Sequence, residues 1–113
     1  MATYQMTLTA GPFEKIADGK KTIESRLYDE KRRHIAINDQ INFVSKDEPT
    51  KEISTRVLAL YRYKNFSELF SAFPPEYFGG SSKDELIAEI REFYSKEDEE
   101  KYGVVGIRIQ LAK

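Results

Sequence analysis

The stretch Gly19-Lys20-Lys21-Thr22-Ile23-Glu24-Ser25-Arg26-Leu27 decides how the chain is read, because it turns a helix end into a strand. Asp18-Gly19 stops a preceding helix, glycine being the residue that most readily takes the left-handed conformation of a helix C-terminus. From Thr22 to Leu27 the pattern has period two. A strand therefore puts Thr22, Glu24 and Arg26 on one face and Ile23, Ser25 and Leu27 on the other. One face packs and the other binds or reacts. Lys21 stands at the joint of helix and strand, where alternation does not fix its direction, yet within reach of the polar face. Two readings of that face stay open. It is a Glu24–Arg26 pair on a sheet exposed to water, or it is a shallow polar cleft. In the cleft, Arg26 or Lys21 would hold a phosphate or a base edge, and Glu24 would accept from exocyclic amino groups.

Upstream, Met1 to Ala10 alternates weakly through Tyr4, Met6 and Leu8 and reads as a strand, broken by Gly11-Pro12. Pro12 suits a first helical turn, and Phe13, Ile16 and Ala17 have helical spacing. Downstream, Tyr28 to Arg33 is charged and reads as a turn or a single helical turn with Asp29 as its cap. Asn38-Asp39 is a turn pair tolerant of positive φ, followed by a strand over Ile41–Val44. Lys46 to Glu52, with Pro49, reads as an exposed hairpin loop. Ile53 to Tyr63 is rich in β-branched and aromatic residues and reads as a long strand. Phe66, Leu69, Phe70 and Phe73 fit an amphipathic helix stopped by Pro74-Pro75, with its phenylalanines in the core. Ser82 and Glu85 form a capping-box pattern, and Leu86, Ile87, Ile90, Phe93 and Tyr94 are assigned to one face of the helix that follows. Ser95 with Asp98 caps a further short helix. Gly103 opens a last strand in which Gly106 marks a bulge or a close approach by another group.

This order does not alternate as a doubly wound sheet does. It predicts one α+β domain over residues 1–113, a curled sheet closed by its first and last strands. The 113 residues suffice for one core and leave no room for a second. Lys and Arg number 18 against 19 Asp and Glu, so total charge gives no case for a nucleic-acid binder. Distribution says more: Gly19–Arg33 holds six bases and three acids, whereas Ser82–Tyr102 holds eight acids and four bases. Such opposite poles permit anion binding at one end, although solvated helix faces give the same arithmetic.

With no cysteine, disulfides, thiolate catalysis and thiolate metal sites are excluded. A lone His34 builds no His-rich metal site, and neither phosphate-loop nor dinucleotide-binding glycine motifs occur. No metal and no cofactor is expected. No apolar run is long enough for a membrane span or a signal peptide, so the expectation is a cytoplasmic protein with no membrane partner.

Three motifs in order carry a resemblance. The run P-F-x-x-I-x-x-G-x-K-T-I-E-x-R-L, then N-D-x-I-x-F, then E-K-Y-G-V-V-G-I-R-I, is similar to the ASCH domain family over nearly the whole chain. The second motif has Asn38 where the family usually shows glycine. The resemblance implies a PUA-like fold, a small mixed β-barrel flanked by helices, with a cleft beside the first helix and the strand after it. It further implies RNA or a nucleoside-like ligand. Lys21, Glu24 and Arg26 match the polar positions that the family displays toward the cleft, so the expected ligand set is Lys21, Thr22, Glu24 and Arg26, aided by Lys31 and Arg32 of the basic run. One branch deacetylates acetylated cytidine with a lysine, a threonine three residues later and a glutamate from a later helix. Lys21 matches that lysine, Glu24 stands at the threonine position, and Glu85 is a candidate for the glutamate. The implied alternatives are thus an enzyme acting on modified nucleosides or RNA, with Lys21 and Glu24 catalytic, or a protein-interaction module that docks through the acidic pole.

Overall fold

A computed structural model describes residues 1–112. The chain runs β1 (Thr3–Leu8), α1 (Ala10–Ala17), β2 (Ile23–Leu27), β3 (Gln40–Ser45), β4 (Glu52–Tyr63), α2 (Phe66–Ala72), α3 (Lys83–Ile90), α4 (Lys96–Tyr102) and β5 (Val104–Leu111), with a 3-10 turn at Pro75–Phe78. The strands form one curled sheet in the order β1-β3-β4-β5-β2. Only the β1–β3 pair is parallel; β3–β4, β4–β5 and β5–β2 are antiparallel.

The expected closure by first and last strands is corrected here. β5 lies inside the sheet between β4 and β2, and the edges are β1 and β2. A continuous apolar alternation such as that of β5 belongs to a strand covered on both faces, and an interior position provides that. The barrel is therefore half-open, with a seam between β1 and β2.

Two apolar clusters occupy the two faces. Inside the curl, Met6, Leu8, Phe13, Ile16, Ile41, Phe43, Val57, Val105, Ile107 and Ile109 pack together. Outside it, Ile23, Leu27 and Val104 meet Phe66, Leu69 and Phe70 of α2, Phe78 and Leu86. Gly106 is buried on the outer side, where a Cβ would lie 2.9 Å from Leu69 Cδ1 and 3.2 Å from Ile23 Cγ2. Close approach, not a bulge, accounts for this glycine. The register shift falls instead in β4, between Val57 and Ala59.

Local signals set the element ends. Asn38 takes φ 77° in its turn. Asp39 follows it and accepts from the backbone N–H groups of Ala2 (3.0 Å) and Ala36 (2.8 Å), tying the start of β1 to the turn before β3. Ser82 caps α3 through Glu85 N–H and Ser95 caps α4 through Asp98 N–H, both as expected. The expected face of α3 needs correction. The helix ends at Ile90, and the N–H groups of Glu92 and Phe93 bond to the carbonyls of Glu89 and Ile90, a tighter 3-10 spacing. Phe93 thus lies three residues beyond the helix end, in a turn that carries it past the packed part of the stripe. It is 62% exposed.

Candidate functional site

Glu24 and Arg26 stand opposite Ile107 and Val105 of β5, and directly opposed residues share a face, so both side chains belong to the inner side of the curl. They are charges on an edge strand, where the inner face lacks a neighbouring strand on one side. Glu24 is 3% exposed. Its Oε1 lies 2.7 Å from Lys21 Nζ and its Oε2 accepts from Arg26 Nε at 2.7 Å. Arg26 also donates through Nη2 to the Thr7 carbonyl of β1 at 3.4 Å, which bridges the seam that backbone pairing leaves open.

Lys21 is placed by three separate contacts. Its N–H bonds to the Lys15 carbonyl at the end of α1, and Thr22 N–H bonds to the Tyr77 carbonyl of the 3-10 turn. Gly79, at φ 83°, presses against the Lys21 stem, so any Cβ there would stand 3.2 Å from it. The direction that alternation left open is thus fixed by the turn after α2, far away in sequence.

The electrostatics follow from this packing. Burial alone would raise the Glu24 pKa, but Lys21 and then Arg26 outweigh it with charge and hydrogen bonds and hold it at about 2. Arg26 is shifted the other way. Burial opposes its charge, yet Glu24 and the hydrogen-bonded Tyr94 hydroxyl raise its pKa above the ordinary value. Two fixed cations around one fixed anion leave the cluster with a surplus positive charge. That surplus is directed into a cavity of about 180 Å³.

The cavity has two kinds of wall. Lys46 joins the polar side, positioned by its N–H bond to the Leu8 carbonyl of β1. Phe70, Phe78, Ile90, Phe93 and Tyr94 form an aromatic and aliphatic side, and Glu89 of α3 completes the rim. An engineered cavity of about 150 Å³ accommodates benzene. This one has room for a single planar ring system, which would meet apolar groups and a charged edge at the same time.

The expected site residues are therefore separated into groups. Lys21, Glu24 and Arg26 come together. Thr22 faces a different hollow, beside Arg108 and Leu58, with its hydroxyl 3.5 Å from the Tyr77 carbonyl. Lys31 is exposed on the turn after β2, and Arg32 is paired with Asp29 at 2.7 Å; neither lines the cavity. The Glu85 carboxylate accepts from the Ser81 hydroxyl at 2.6 Å and also lies outside it. Glu89, one helical turn later, is the α3 glutamate that reaches the rim. Sequence reasoning missed it, although Glu89 follows Glu85 by the i, i+4 spacing of one helix face. Lys46 had no local signal, because only the parallel pairing of β1 with β3 brings it to the seam.

Among the described residues no cluster of three His, Cys, Asp or Glu is placed to hold a metal, and no helix is long and apolar enough to cross a membrane. What the geometry defines is a PUA-like α+β domain: a half-open barrel with a charged cleft along its seam. The chain belongs to the ASCH domain family, whose model matches residues 6–113.

Solved structures agree. The hypothetical protein PH0355 is 38% identical, with a TM-score of 0.86 over 97% of this chain and 99% of that one. Protein PF0455 from Pyrococcus furiosus is 40% identical, with a TM-score of 0.77 over 98% of each chain. An ASCH domain from Lactobacillus crispatus shares only 12% identity but keeps the fold, at TM-score 0.65 over 97% of this chain and 79% of that one. No curated protein matches the chain in sequence.

Proposed function

We propose that this ASCH domain binds RNA or a nucleotide-like ligand in the cleft formed by Lys21, Glu24 and Arg26. The observation that carries the reading is the juxtaposition of a buried, doubly paired carboxylate with an aromatic wall across one cavity. A nucleobase presents a flat face to Phe93 or Tyr94 and donor and acceptor groups at its edge, and a nucleotide adds a phosphate for Lys21, Arg26 or Lys46. Because Lys21 and Arg26 are already held by Glu24, the site is organised before a ligand arrives and loses little side-chain entropy on binding.

The same clamp argues for binding over catalysis. A carboxylate held at about pKa 2 accepts protons poorly near neutrality, whereas a general base works best with a pKa near the working pH. Glu24 also stands where the nucleoside-deacetylating branch of the family carries its threonine. Hydrolysis of a modified nucleoside or of RNA is thereby the weaker reading.

The test is a titration of single-stranded RNA and of mononucleotides against wild type, Lys21→Ala and Arg26→Ala at several salt concentrations. Loss of affinity in both variants, with a shallower salt dependence for RNA, is the expected result. Equal and weak binding by all three proteins would refute the cleft as the binding site.

A further inference from the structure

Beyond the cleft, the structure carries a second basic surface that no site assignment above absorbs. Tyr28 immediately follows β2, and its N–H still bonds to the Gly103 carbonyl, so the chain keeps its course one residue past the strand. Two guanidinium groups lie over its ring, Arg62 at 4.1 Å and Arg33 at 5.6 Å from the centroid. Arg33 also donates from Nε to the Tyr28 carbonyl at 3.4 Å. Both arginines are exposed, and among the described residues neither is in an ion pair. The neighbouring Arg32 is different: it is committed to Asp29.

Two like charges drawn to one ring repel each other, and a cation over an aromatic face in reach of water gains little. This arrangement contributes little to folding, yet it holds two planar donor forks in position for an anion. A hollow beside it adds Lys64 and Lys101. Of the acids there, Glu99 is paired with Arg91, which leaves Glu68 and Glu100 against Arg62, Lys64 and Lys101.

The arginine pair and the cleft charges lie on the same face of the sheet. Arg26 of β2 and Arg62 of β4 both stand opposite Val105, so they share one row across the sheet, two strand spacings or roughly 10 Å apart. Along β2, Tyr28 lies four residues beyond Glu24, about 13 Å at strand rise. A free mononucleotide in the cleft does not extend that far, but a strand does. We propose that Arg33 and Arg62, held by Tyr28, form a phosphate-binding track for the backbone of a single RNA strand, one base of which occupies the cleft. The natural ligand of this domain is then a polynucleotide and not a free nucleotide. The inference rests on the cleft being the base-binding site.

The experiment compares a fluorescently labelled single-stranded RNA 12-mer with a mononucleotide, against wild type, Lys21→Ala and the double variant Arg33→Gln/Arg62→Gln. Removing two phosphate contacts should lower the slope of log affinity against log salt by about 1.4 and weaken the 12-mer on the order of tenfold at low salt. Mononucleotide binding should not change. The charge-retaining variant Arg33→Lys/Arg62→Lys should keep the wild-type slope, which a defect of folding would not allow. An unchanged slope and affinity in the glutamine variant would overturn the track, even if Lys21→Ala abolishes mononucleotide binding. An equal loss of mononucleotide and 12-mer affinity in the glutamine variant would overturn it too. If Lys21→Ala leaves mononucleotide affinity untouched, the cleft reading itself fails, whatever the arginine variants do.

Discussion

Two buried glutamates in this domain have nearly the same pairing chemistry and different fates. Glu24 lies between Lys21 and Arg26, and Glu99 of α4 accepts from Arg91 Nη2 at 2.8 Å. Both are under a tenth exposed. Glu99, however, also accepts from the Phe66 backbone N–H, and so it ties α4 and the turn after α3 to the start of α2. It borders a hollow as well, the one lined by Lys64 and Lys101. Glu24 has no such backbone role and faces a cavity. Neither burial of an ion pair nor a hollow beside it is therefore by itself the mark of a functional site; Glu24 differs in holding two side-chain cations, whereas Glu99 divides itself between one cation and the backbone.

Removing each glutamate sharpens this contrast and gives the largest effects. Glu24→Ala strands two cations that are only 12% and 13% exposed, and breaking a buried pair from one side costs about 3–5 kcal/mol. Glu99→Ala should cost less, roughly 1–3 kcal/mol, because Arg91 is 26% exposed and can turn toward water while the Phe66 N–H loses its partner. Denaturant titration of the two variants checks the order. A Glu99→Ala loss equal to or larger than that of Glu24→Ala would contradict it.

Acid should weaken the Glu24 cluster in a predictable way. The folded-state pKa of Glu24 is depressed from 4.5 to about 2, so its stabilisation is fully present above 4.5 and is lost as pH falls toward 2. The amount at stake is roughly 3 kcal/mol, since each pKa unit corresponds to about 1.4 kcal/mol. Stability measured from pH 6 to pH 2 should fall in wild type more than in a folded Glu24→Gln variant, which has no such carboxylate to protonate. Parallel curves for the two would contradict the assigned pKa.

A third change acts on the plate between the two glutamates. Gly106 opposes Ser25 of β2 and lies under Leu69 of α2, the helix whose first N–H is held by Glu99. Gly106→Ala puts a methyl 2.9 Å from Leu69 Cδ1, and relieving it requires a shift of that side chain or of the strand. The expected loss is about 1–3 kcal/mol, the usual cost of overpacking a core. Ligand affinity should fall with it, because β2 carries Glu24 and Arg26. A Gly106→Ala protein of wild-type stability would show that Leu69 yields freely.

Much of this was legible in the sequence because it is local. Caps at Ser82 and Ser95, the turn at Asn38-Asp39 and the period-two face of β2 are encoded within a few residues of where they act. The seam is not local. That β1 pairs with β3 in parallel, and that β5 inserts beside β2, are choices made between segments dozens of residues apart, and no periodicity within a strand specifies its neighbour. Lys46 and Thr7 reach the cleft only through that topology. Phe93 differs from its expected place for another reason: its spacing from Ile90 is helical in sequence, but the helix stops at Ile90 and no cap residue marks that end.

Phe93 accordingly supplies the prediction with the smallest effect on folding. At 62% exposed it contributes little buried area, so Phe93→Ala should change stability by no more than about 0.5 kcal/mol. Its ring nevertheless stands at the cavity mouth, across from the charges on β2. If a base stacks there, truncation should cost about 1–3 kcal/mol of binding free energy while leaving the salt dependence intact, because no phosphate contact is removed. Arg26→Ala should instead reduce affinity and salt slope together. The two variants thus divide the cleft into an apolar wall that grips the ring and a charged wall that holds its edge or phosphate. Equal changes of slope in both would show that the walls do not act separately.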